Sequence, residues 1–81
     1  MAKYTDKTIC IDTFDKVGYL VNTAMAQTPE MDIISGRYTV NAKSLMGVFS
    51  LNITKPVTLR IHAEDIDAER ILDIISDLIV E

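Results

Sequence analysis

Eighty-one residues, 48% of them hydrophobic, allow a single domain over residues 1–81 with one modest core. Twelve acidic residues against eight Lys and Arg give a net charge of −4, and the cations are scattered, so no basic stripe is available to neutralise a nucleic-acid backbone. The lone Cys10 cannot close an internal disulfide, and no apolar run is long enough for a signal peptide or a membrane span, so the expectation is a cytoplasmic protein with no membrane partner.

The stretch from Lys7 to Asp12 alternates, with Ile9 and Ile11 on one side and Thr8, Cys10 and Asp12 on the other, which predicts a first strand. From Phe14 the period becomes helical: Phe14, Val17, Leu20, Val21, Ala24 and Met25 form a stripe, with Asp12 or Thr13 as N-cap and Thr28-Pro29 as the stop. "MDIIS" and "RYTVN", joined around Gly36, predict a hairpin with Tyr38 and Val40 on one face of its second strand.

A short second helix follows, with Leu45, Val48 and Phe49 as its apolar face and Asn52 ending it; Phe49 is expected in the core. "VTLRIHA" alternates cleanly, so Val57, Leu59, Ile61 and Ala63 should face a helix layer and Thr58, Arg60 and His62 should face solvent. In "DIDAERILDIISDLIVE" the stripe Ala68, Ile71, Leu72, Ile75, Leu78 and Ile79 predicts a long last helix, capped by Asp67, with Ile66 stapled onto Ile71. The order β-α-β-β-α-β-α with hairpin connections predicts an α+β two-layer open-faced sandwich: a four-stranded antiparallel sheet with three helices on one face.

This order and the stretch "AKSL", Ala42 to Leu45, with the apolar helix, the "VTLRIHA" strand and the "AE" pair after it, resemble HPr, the histidine-containing phosphocarrier of the bacterial sugar phosphotransferase system. The resemblance spans nearly the whole chain. It implies that Ser44 matches a regulatory phosphorylation site of the family, and that Lys43, Leu45, Met46 and Val48 belong to a surface on which partner proteins dock. The family's Gly-Leu-His-Thr-Arg-Pro-Ala motif is absent. Carrying the register back from "AKSL" without gaps places Thr13 at the phosphorylated histidine, Asp15 at the arginine and Lys16 at the proline, in a loop that reads as shortened.

Those replacements bear on the chemistry. A phosphoryl carrier needs a neutral ring nitrogen as acceptor and positive charge to hold the phosphoryl oxygens, whereas Asp12 and Asp15 flank Thr13 with carboxylates that repel them. A phosphothreonine is a stable ester, which can signal but not relay. His62, the one histidine, falls on a strand and is read as a surface residue; Cys10 has no basic neighbour or CxxC partner in sequence and is read as structural.

Ser44 has two readings, a helix N-cap or a phosphorylation site, and Met46 beside Gly47 suits an adaptable docking surface. The acidic stretch "AEDIDAE" lacks the spacing of an oxygen-ligand loop and reads as helix-terminal charge, so no metal and no cofactor are implied. With no nucleophile–base pair and no phosphate loop, the expectation is a non-enzymatic member of the phosphocarrier family with no small-molecule substrate. It would act in regulation or protein–protein interaction by docking on the second helix. The alternatives are a functional carrier with another acceptor and a purely structural or oligomerising module.

Overall fold

A computed structural model of the chain describes residues 3–80. Four strands, β1 (Thr5–Ile9), β2 (Met31–Ser35), β3 (Tyr38–Asn41) and β4 (Val57–Ile61), form one antiparallel sheet in the order β1-β4-β2-β3. Of three α-helices, α1 (Phe14–Met25) lies between β1 and β2, α2 (Leu45–Phe49) between β3 and β4, and α3 (Asp65–Ile74) after β4, with a 3₁₀ turn at Ser76–Leu78 following it.

The register explains the layering. Ile61 opposes Met31, Leu59 opposes Ile33 and Val57 opposes Ile9, so one face of the sheet presents a continuous apolar surface. Against it pack Val17, Leu20, Val21 and Ala24 of α1, Val48 of α2 and Ile71 of α3, all in one buried cluster. The other face carries Asp6, Arg60 and Asp32 side by side and is open. Two layers with one wet face follow from the period-2 alternation of β4.

β1 begins and ends earlier than its alternation predicts. Its ladder requires β4, which starts only at Val57 behind Pro56, so pairing stops at Ile9; Cys10 then donates its amide to Leu78 O at 2.8 Å. Ile11 is nonetheless fully buried, as its place in the alternation requires. β4 ends at Ile61, and the His62 amide donates to Glu30 O at 2.8 Å, extending the register of β4 with β2 by one more bond. Ala63 is only partly buried, and its carbonyl accepts from Thr5 Oγ1.

The hairpin turn is Gly36-Arg37, with Gly36 at φ 61; a left-handed first loop residue matches the strand twist, and glycine adopts it without a Cβ penalty. α3 departs most from expectation. It starts at Asp65, itself at φ 57, behind Glu64, and ends at Ile74. Asp67 therefore lies in the first turn and pairs with Arg70 at 3.2 Å instead of capping. The Ile66–Ile71 staple does not form: Ile66 is 74% exposed and Ile71 fully buried. Beyond Ile74 the apolar pattern continues, but the chain tightens into the 3₁₀ turn and runs out as an extended tail, with Ile79 bridging Ile9 and the Val80 amide donating to Thr8 O. Ile75, Leu78 and Ile79 pack against the core from this tail.

Candidate functional site

The start of α1 and the whole of α2 meet at one edge of the helix layer. Thr13 is the N-cap of α1: its backbone is extended, and its Oγ1 accepts from the Lys16 amide at 3.2 Å. Asp12 contacts Lys16 Nζ at 3.1 Å in an i,i+4 pair. The hydrogen bond from Lys16 holds the Asp12 carboxyl below its usual range, and the same bond raises Lys16. The one cation at this helix start is therefore already engaged, and Asp15 adds a second carboxylate in the first turn.

α2 is set by the turn before it. The Asn41 side chain accepts from the Lys43 amide at 2.8 Å and its carbonyl from the Ser44 amide at 3.0 Å, while Ala42 is buried and bonded to Met31 O. This places Ser44 as the N-cap, with Oγ accepting from the Gly47 amide at 3.1 Å. Glycine at position 47 keeps this cap uncrowded: a Cβ there would lie 3.1 Å from Ser44 Oγ and 3.4 Å from Val40 Cβ, so the cap would have to give by a few tenths of an ångström. Asn52 does not end the helix, which stops at Phe49 with Ser50 as C-cap; Asn52 instead organises the following turn by accepting from Thr54.

Among the residues expected to form the docking surface, Met46 is 83% and Leu45 42% exposed, but Val48 is fully buried and is removed from that surface. Phe49, expected inside, is 38% exposed and lies against Phe14, with ring centroids 5.3 Å apart. On a five-residue helix Val48 is the side chain aimed at the core, and its neighbour Phe49 is carried to the rim. Phe14, placed by its spacing in the α1 stripe, is 72% exposed because it starts the helix at this rim; Met25, at the other end of the stripe, is 64% exposed. The exposed apolar side chains at this rim are thus Phe14, Leu45, Met46 and Phe49, with Thr13 and Ser44 capping the helices that present them.

His62 lies elsewhere, on the open face of the sheet as its register requires. Its Nε2 is 2.8 Å from Asp32 Oδ2, and its ring meets Tyr4 edge-on at 6.5 Å. Arg60 makes a forked bond to Asp6, with both N···O distances 2.9 Å, and its guanidinium stacks 4.0 Å from the Tyr4 ring centroid. The Arg60 bond lowers the Asp6 carboxyl. Cys10 is half-buried. Among the described residues no group of three or more His, Cys, Asp or Glu side chains is arranged to hold a metal ion, and no helix is long and apolar enough to cross a membrane.

One signal present in the composition escapes a residue-by-residue reading. Residues 33–63 contain no Asp or Glu but carry Arg37, Lys43, Lys55 and Arg60, whereas residues 64–81 carry seven acidic residues against Arg70. The α2–β3 side and the α3 side of the molecule are oppositely charged.

The model of the family described as "PTS HPr component phosphorylation site" matches residues 17–81, a match that begins beyond Thr13. Among solved structures, HPr-C-His from Thermoanaerobacter tengcongensis is 28% identical with a TM-score of 0.68, the alignment covering 95% of this chain and 90% of that one. The phosphocarrier protein HPr from Bacillus anthracis str. Ames has the same fold at 24% identity and a TM-score of 0.71, with 96% of each chain covered. With the sheet order, the Ser44 cap and the family match in agreement, the chain belongs to the HPr family of the phosphotransferase system.

Proposed function

We propose that this chain is an HPr-family protein that does not carry a phosphoryl group and works in the cytoplasm as a regulatory, partner-docking module. The observation that carries the reading is Thr13: the gapless register of the resemblance puts it where the family has its histidine, and its hydroxyl is spent on the Lys16 amide between two carboxylates. A phosphoryl group arriving there meets Asp12 and Asp15, and the nearby cation Lys16 is already paired. His62, on the opposite face of the sheet and bonded to Asp32, stands outside the helix-layer rim.

What the rim retains is an apolar surface. Burying a phenylalanine side chain is worth roughly 1.5–3 kcal/mol, and Phe14 leaves most of that unrealised in the free protein. A partner covering Phe14, Met46, Leu45 and Phe49 recovers it, with Lys43 at the edge of the patch. Ser44 is the regulatory position of this reading. A phosphate on its Oγ would stand at the start of α2 beside Lys43 and alter the charge at the rim of the docking surface.

The test is incubation with phosphoenolpyruvate and enzyme I followed by assay of acid-labile phosphate. No incorporation is expected. Transfer at a rate near that of a histidine-bearing HPr would overturn the reading in favour of a carrier with another acceptor. Failure of a Phe14→Ala variant to lose any partner captured by the native chain would leave a structural module.

A further inference from the structure

We propose that the outer edge of β3 is a second docking site, independent of the α1–α2 rim, and that it takes an extended acidic segment of a partner protein as a fifth strand. β3 is an outermost strand of the sheet. Ser35 and Tyr38 flank the two-residue turn and form the bonded pair, so the next pair, Ile34 and Thr39, is non-bonded, and the Thr39 amide and carbonyl point away from β2. Thr39 and Tyr38 are both exposed. Beside this edge runs a groove lined by Arg37, Tyr38, Thr39 and Val40 on one side and by Leu51 and Asn52 behind α2 on the other. It offers what strand addition uses: free main-chain groups and an adjacent apolar trough for alternate side chains.

Charge decides the occupant. Arg37 stands at one end of β3 and Lys43 just past the other, with Lys55 three residues beyond Asn52; among the described residues none of the three forms an ion pair. No carboxylate occurs anywhere from residue 33 to 63. An antiparallel pairing of two copies about Thr39 would set Arg37 of each near Asn41 to Lys43 of the other, bringing like charges together at both ends. Cations on a strand edge disfavour self-pairing in this way, and the same cations favour a strand with acidic ends.

The probe is the blocked peptide Ac-Asp-Val-Thr-Val-Asp-NH₂, with its Lys-ended counterpart as control, titrated into the full chain and followed by amide NMR shifts. The acidic peptide is expected to move the Thr39 amide and its neighbours and to bind at least tenfold more tightly than the Lys-ended one. Arg37→Glu should reverse that preference. Thr39→Pro removes an amide the hairpin does not use, so it should abolish binding while the melting temperature stays near that of the native chain. Phe14→Ala should leave peptide affinity unchanged, which separates this site from the rim. Absence of binding, equal binding of both peptides, loss of binding in Phe14→Ala, or dimerisation of the chain through β3 in sedimentation would each overturn the proposal.

Discussion

The open face of the sheet and the α1–α2 rim both expose aromatic rings, but they treat them oppositely. On the open face Tyr4 is stacked on Arg60, Arg60 is forked onto Asp6, and His62 is bonded to Asp32, so each of these groups already has a partner from a neighbouring strand or segment. At the rim, Phe14 and Phe49 have mainly one another, and Met46 stands out with 83% of its surface exposed. A surface whose groups satisfy one another leaves a partner few polar groups to engage, whereas unburied rings above capped helix starts leave apolar area in water. The lone histidine sits on the first surface, and on the proposed reading partner docking falls to the second.

The comparison presumes that both surfaces ride on one rigid core, and the largest expected effect tests that. Leu59, fully buried on the inner side of β4, should cost about 2–5 kcal/mol when cut to alanine, lowering the melting temperature by roughly 8 °C or more. A loss under about 1 kcal/mol would mean that the sheet does not anchor the two surfaces as described. Phe14→Ala sharpens the contrast: stability should change by no more than about 0.5 kcal/mol, while affinity for a partner docked on the rim falls about tenfold. Tight binding by that variant would move the docking surface elsewhere.

Ser44→Ala should cost about 1 kcal/mol through the lost cap, read in a thermal melt. Ser44→Asp, which retains a capping oxygen and adds charge, should melt like the native chain yet bind a rim partner differently; unchanged binding would leave Ser44 as a cap and nothing more. The smallest effect belongs to the open face. The Asp6 carboxyl is lowered from 3.8 by Arg60, so its contribution is present above that value and is lost as pH falls below it through the folded-state value. Asp6→Asn should flatten only this acid limb of the melting temperature, and a loss of stability near neutral pH that persists in Asp6→Asn would assign the effect to another group.

Much of this could be read in the sequence, and the failures have a common cause. β4 is legible because strict alternation over "VTLRI" leaves one pleat assignment, and α1 is legible over its twelve residues because its middle turns share a single buried stripe. Ser44 as cap follows from residue type and place. The reading fails where an element is too short or too near an end for period to constrain it. In α2 the adjacent Val48 and Phe49 are equally apolar, and only the packing of five residues decides which one is buried. Phe14 has the right spacing for the core but stands on the turn that overhangs it. The α3 stripe continues into Leu78 and Ile79 because Leu78 is buried and Ile79 half-buried against the core, though by a 3₁₀ turn and a tail that no helical period describes.

That tail has a consequence for how copies of the sheet can meet. By bonding the Thr8 carbonyl and the Cys10 amide it takes up the C-terminal end of the outer edge of β1, whereas no segment among the described residues pairs with the outer edge of β3. A strand added at β3 therefore finds the far edge of the sheet shortened by the chain's own tail, which works against the edge-to-edge stacking that turns two-edged sheets into fibres.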